Sequence, residues 1–287
     1  MTRAAPTGRT VELVAGTTRA RLDLDRGARL DRLAVADPAG GAPLELVPAV
    51  GPAPFGGGAF VMAPWAGRIR DAVAEHDGRR LALAPFVDGH AIHGLVLDAA
   101  WDAEQDAADH VRTTVRVDDG WFGPFTLTQD VRLAEGRLDV AFALTPTAAA
   151  IPATVGWHPW FARRLRDVEA RLVLPAAWRL ERDDRGIPDG RREVRAGAPG
   201  SDRWGDGPWD DAFGGLDGPV ELRWPGLLAL EVTTDGPIVV VYTGDPDAWC
   251  VEPQSGPPDE VHLAPRVVAA DRPLTLALAL AWRADTD

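Results

Sequence analysis

Lysine and asparagine are missing from the 287-residue chain, serine occurs twice, and there is one cysteine. Without lysine, neither Schiff-base chemistry nor a phosphate-binding P-loop lysine is available. The two serines, Ser201 and Ser255, stand outside any G-x-S-x-G elbow, which disfavours serine hydrolysis. A single cysteine, Cys250, excludes an internal disulfide and a cysteine-rich metal site. Cations are scarce as well: 30 basic residues, all arginine, face 43 acidic ones, for a net charge of −13. That balance argues against a nucleic-acid partner. No apolar run approaches the roughly 20 residues of a membrane span, and the opening MTRAAPTGRT carries no apolar export segment. The expectation is a cytoplasmic protein with no membrane association.

What is present is a large core. Hydrophobic residues make up 46% of the chain and charged ones 25%, the proportions of a globular protein. Strict alternation recurs. Phe125, Leu127, Val131 and Leu133 share one face, Glu135-Gly136 turns the chain, and Leu138, Val140, Phe142 and Leu144 repeat the period, predicting a β-hairpin. Leu228, Leu230 and Val232, then Asp235-Gly236, then the apolar run Ile238 to Tyr242 predict a half-buried strand turning into a fully buried one. Val111 to Val117, Val168 to Leu174 and Leu274 to Trp282 add further strands. No window sustains a helical stripe, and 30 glycines with 25 prolines interrupt the chain. The fold class expected is all-β, a large antiparallel β-sandwich in a single domain over residues 1–287. The polar stretch 181–209 is either a surface excursion or the rim of a site.

Four segments mix ionisable residues with Gly, Pro or Trp: PWAGRIRD (64–71), DGHAIHG (88–94), GWHPWF (156–161) and AWCVEPQSGPPDE (248–260). Each has a plain structural explanation. A lone histidine beside apolar residues, such as His93, is most often a hydrogen-bonded core residue. His90 and His93, three apart in an extended segment, would point to opposite faces, which disfavours chelation by that pair. His158 sits among Trp157, Trp160 and Phe161, either as a packed core ring or as an imidazole at the bottom of an aromatic-lined pocket. Glu252 ends an apolar run, where burial would tune a carboxyl for acid–base work. Arg68 and Arg70 are candidates for hydroxyl binding or ordinary surface residues, and Asp210-Asp211 could equally begin a turn.

Taken together, Arg68 in GRI, His93 in HG, His158 in HPWF, Asp210 in D-x-x-F and Glu252 in VEP followed by PPD resemble the aldose 1-epimerase (mutarotase) family in order and spacing. The resemblance covers most of the chain and implies a galactose mutarotase-like supersandwich with a sugar in a cleft across one sheet. It implies interconversion of α and β anomers of an aldose, with Glu252 as general base, His158 as general acid and His93 as a second donor near the ring oxygen. Arg68 and Asp210 would hold sugar hydroxyls and Trp160 would stack on the sugar. No cofactor or metal is implied, and the partner is a small-molecule aldose bound by a monomer or homodimer. A non-catalytic sugar-binding protein and a hexose-6-phosphate 1-epimerase on the same scaffold are the alternatives, with a metal-dependent β-fold enzyme as a third. Where the family often has Asn, this chain has Gly67, His90 and Trp157, which locates a difference in substrate preference at those positions.

Overall fold

A computed structural model describes residues 8–48 and 55–286. Among them, two antiparallel sheets dominate. The eleven-stranded sheet runs Thr10–Ala15, Thr18–Asp23, Arg29–Val35, Ala59–Met62, Gly156–Ala162, Ala248–Gln254, Ile238–Tyr242, Asp210–Leu216, Ala176–Arg182, Pro188–Val194, with Leu44–Val47 paired on Arg29–Val35. The eight-stranded sheet runs Asp102–Ala107, His110–Val117, Phe125–Ala134, Arg137–Pro146, Leu274–Ala284, Leu228–Thr234, Val220–Trp224, Arg171–Val173. The fold is thus all-β. Helix among the described residues is limited to Glu260–Leu263 and a 3-10 turn at Arg70–Ala72. No described helix is long and apolar enough to cross a membrane.

The alternating sequence dictates this layering. Leu127, Val131, Leu138, Val140, Leu276 and Leu278 from the smaller sheet join Val61, Trp157, Val239, Val241, Trp249 and Val251 from the larger in one buried cluster. Burial of a Leu or Val side chain contributes about 1.5–3 kcal/mol, so the facing rows hold the sheets together. The expected hairpin is present, with Phe125–Ala134 and Arg137–Pro146 in register from Phe125↔Pro146 to Ala134↔Arg137.

Two expectations need correction. Leu228–Thr234 and Ile238–Tyr242 do not pair: the first belongs to the eight-stranded sheet and the second to the eleven-stranded one. The Asp235-Gly236 link carries the chain across the sandwich, because Ile238–Tyr242 is apolar on both faces and its place is mid-sheet, between Asp210–Leu216 and Ala248–Gln254. The stretch Val168 to Leu174 is two short strands, Val168–Glu169 paired with Arg164–Leu165 and Arg171–Val173 paired with Val220–Trp224.

Candidate active site

The eleven-stranded sheet has a second face, turned away from the inter-sheet core. On the Ala248–Gln254 strand Trp249 and Val251 join the core cluster, so Cys250, Glu252 and Gln254 lie on the opposite side. The same period in Gly156–Ala162 buries Trp157 and Phe161 in the core and turns His158 and Trp160 outward. Register then aligns these outward residues. Gly156↔Gln254 and Trp160↔Cys250 place His158 across from Glu252, Val240↔Glu252 continues the row, and Ala212↔Val240 extends it. The adjacent row runs Trp160, Cys250, Tyr242, Asp210.

Above this floor lies a ribbon in which Arg68↔Ile92 and Ile69↔Ala91 pair. It brings Arg68 and His93 over the sheet. The backbone N–H of His93 donates to the Gly67 carbonyl at 3.0 Å. Gly94 has φ +82°, and a Cβ there would lie 2.1 Å from the Ala63 carbonyl oxygen, so His93 can approach the floor only with glycine behind it. The segment carrying Pro257-Pro258 is tied to the same ribbon. Asp259 N–H donates to the Arg68 carbonyl at 2.9 Å, and the Asp259 carboxylate receives Arg70 Nε at 2.5 Å and Arg70 N–H at 3.1 Å. Arg70 is therefore a clamp on the loop, and of the two arginines Arg68 faces the cavity.

The result is a cavity of about 280 Å³. Arg68, His93, His158, Trp160, Asp210 and Glu252, the six expected site residues, all line it. His158 Nε2 is 3.2 Å from Glu252 Oε1. The His158 ring is stacked between Phe60, with centroids 4.4 Å apart, and Trp160, 5.4 Å apart, and meets the His93 ring edge-on at 5.0 Å. Trp160 thus orients an imidazole as well as bordering the cavity. Gln254 Nε2 donates to the second Glu252 oxygen at 3.3 Å. On the opposite wall, Arg68 Nη1 and Nη2 each reach Asp210 Oδ2 at 3.5 Å.

Burial decides the protonation of the pair. Glu252 is 3% exposed and His158 6%. Desolvation pushes the Glu252 carboxyl well above its usual range, and the Asp210 charge pushes in the same direction. Desolvation also pulls His158 down to about 3 and His93 well below the usual imidazole value. Although the 3.2 Å contact is of ion-pair length, both shifts favour a carboxylic acid beside a neutral imidazole.

Sequence reasoning missed several lining residues. Arg182 donates from Nη1 to Asp210 Oδ2 at 3.3 Å, and its Nε lies 3.1 Å from Asp211 Oδ1. With Gly186 and Pro188 it makes the 181–209 stretch a rim of the site. Tyr242 and Gln254 also line it; Gln254 stands two residues beyond Glu252, where the strand period alone could have found it. Of the three positions where Asn is common in the family, only Gly67 borders the cavity. Trp157 points into the inter-sheet core, and His90 is fully buried with Nδ1 accepting the Asp71 N–H at 3.0 Å.

The two-sheet antiparallel sandwich thus carries a buried imidazole–carboxyl pair on the floor of one cleft. Residues 25–272 match the Aldose 1-epimerase family model, and the chain belongs to that family. Solved structures agree on the fold. A putative aldose 1-epimerase from Escherichia coli K12 is 19% identical, with a TM-score of 0.80 over 96% of this chain and 99% of that one. A GalM/aldose epimerase homologue from C. elegans is 18% identical, with a TM-score of 0.82 over 97% and 99%. A galactose 1-epimerase from Lactobacillus acidophilus NCFM is 18% identical, with a TM-score of 0.72 over 96% and 98%. No curated protein matches the sequence significantly.

Proposed function

We propose that the protein interconverts the α and β anomers of a neutral aldose by acid–base ring opening and closure, acting as one domain over residues 1–287. The observation that carries this reading is the buried 3.2 Å contact between His158 Nε2 and Glu252 Oε1 on the cavity floor. Ring opening requires removal of one proton from the C1 hydroxyl and delivery of one to the ring oxygen, so a pair that holds one proton suffices. The resting acid and imidazole contain that proton. Its transfer across the contact yields a Glu252 carboxylate, which the nearby Arg68 cation favours, and a His158 imidazolium, and the hydroxyls of an entering sugar solvate both charges. Glu252 then takes the C1 proton while His158, supported by His93, protonates the ring oxygen. The C1–O5 bond breaks, the free aldehyde rotates about C1–C2, and reclosure on the other face reverses both transfers. Arg68 and Asp210 hold hydroxyls, and Trp160 borders the sugar.

Charge on the wall supports a neutral substrate. Among the described lining residues Arg68 and Arg182 are matched by Asp210 and Asp211, which leaves no excess cation there for a phosphate dianion. A non-catalytic sugar binder would have no use for a desolvated acid–base pair. Anomer exchange measured by NMR over a panel of free aldoses and their 6-phosphates tests the proposal. The expected result is acceleration of at least one free aldose over its phosphate; binding without acceleration would establish the binder instead, and preference for a 6-phosphate would establish the phosphosugar enzyme.

A further inference from the structure

Beside the acid–base pair lies a side chain to which the proposed reaction gives no task. Cys250 is fully buried, precedes Glu252 by two residues on the same strand, and therefore occupies the same face of the sheet. Its register partners are Trp160 and Tyr242, whose rings approach edge-to-face at 5.8 Å. Ligand atoms of His158, Cys250 and Glu252 all lie within 4.8 Å of one another, and no other such trio occurs among the described residues. We propose that these three side chains form an inhibitory site for a thiophilic divalent cation, with zinc as the type ligand.

The donor set is that of a three-ligand zinc site: an imidazole nitrogen, a thiolate and a carboxylate oxygen. Zinc–nitrogen and zinc–oxygen bonds of about 2.0–2.1 Å and a zinc–sulfur bond of about 2.3 Å put tetrahedral ligand atoms about 3.3–3.6 Å apart. The His158–Glu252 contact of 3.2 Å is already near that spacing, and the trio closes by about an ångström to meet it. His158 and Glu252 line the cavity, so the fourth position opens towards a water or sugar hydroxyl.

Charge favours the assembly. A dication with one thiolate, one carboxylate and a neutral imidazole has zero net charge, which suits a buried location. Binding releases two protons to solvent, one from the Cys250 thiol and the one held by the His158–Glu252 pair. No electron is transferred. The bound cation occupies the lone pairs that the reaction needs on both Glu252 and His158, so catalysis stops until the cation leaves.

Because Cys250 is the sole cysteine, a thiolate-to-cobalt charge-transfer band can arise from this site alone. The test is titration of the reduced full-length protein with Co²⁺, followed by displacement with Zn²⁺, alongside polarimetric mutarotation rates. The wild type is expected to show the band at one equivalent and to lose it to Zn²⁺. Cys250→Ser and Cys250→Ala should lack the band, keep metal-free activity within about twofold of wild type, and need at least about tenfold more Zn²⁺ for half-inhibition. Absence of a thiolate band in the wild type, or equal zinc sensitivity of both variants, would overturn the proposal. The inhibition arm rests on the epimerase reading and the spectroscopic arm does not; a protein inactive without metal that still shows the band would refute the reading while leaving the site in place.

Discussion

Glu252 sits where a carboxylate is most costly, on a central strand with 3% of its surface exposed, and its one side-chain donor among the described hydrogen bonds is Gln254. Replacement by glutamine keeps size and hydrogen-bonding capacity and removes the titration. We expect Glu252→Gln to abolish catalysed mutarotation in a polarimetric assay with the fold intact, and His158→Asn to slow turnover by at least about a hundredfold. Near-normal rates in either would remove that residue from the mechanism. Stability provides a second reading of the same glutamine variant. The folded-state pKa of Glu252 is raised, so its favourable contribution is complete below the unfolded value of 4.5 and is lost as pH rises through the folded value. His158 has the opposite sign: its contribution is complete above 6.5 and is lost as pH falls through about 3. Urea unfolding of Glu252→Gln against wild type should therefore shift progressively in the variant's favour as pH rises from 5 to 7. A difference independent of pH would mean that the carboxyl is ionised in the folded protein throughout.

The ribbon and loop above the sheet bring a second kind of constraint, because their backbones nearly touch. Gly67 has φ +67°, and a Cβ there would lie 2.7 Å from Pro258 Cβ and Cγ. Asparagine tolerates that backbone conformation, so the obstacle to the family's common residue is Pro258, with its loop clamped by Asp259 onto Arg70. Gly67→Asn should cost about 1–3 kcal/mol of stability and lower kcat/KM, since it displaces the loop that flanks Arg68. Adding Pro258→Gly should recover much of both, measured by thermal melts and progress curves; additive losses would show that the two positions do not compete for space. This coupling was not legible in the sequence, where Gly67 and Pro258 are 191 positions apart. What was legible is local. Period-two alternation specifies the Phe125–Ala134 and Arg137–Pro146 hairpin, and the mixture of Trp, His and Pro in GWHPWF separates an inner face from an outer one. Alternation names a strand's faces but not its neighbours. For that reason alternation alone does not show that Asp235-Gly236 crosses between sheets, or that Arg182, on the strand next to the sheet's edge, reaches Asp210.

At the scale of the whole molecule, the eleven-stranded sheet serves two purposes at once. Its inner rows bind the sandwich together and its outer rows form the floor of the cavity, so adjacent residues on one strand belong to different problems. Val251 is fully buried in the inter-sheet cluster, whereas Glu252, the next residue, faces the cavity. Strand spacing of about 4.8 Å and hydrogen bonds on both edges fix the outer rows wherever the inner rows fix the sheet. A cavity-forming change on the inner face should therefore reduce stability without altering the spacing of His158 and Glu252. Val251→Ala removes two methyl groups and should destabilise the protein by about 2 kcal/mol, read by chemical denaturation. At 25 °C its kcat and KM should stay within about twofold of wild type, because the remaining stability of a domain this size, about 5–15 kcal/mol before the change, keeps it folded. Glu252→Gln should give the reverse pattern, with lost activity and a retained fold. If Val251→Ala instead lowers kcat tenfold while remaining folded, the floor is not held by the ladder alone, and the packing between the two sheets sets the geometry of the acid–base pair.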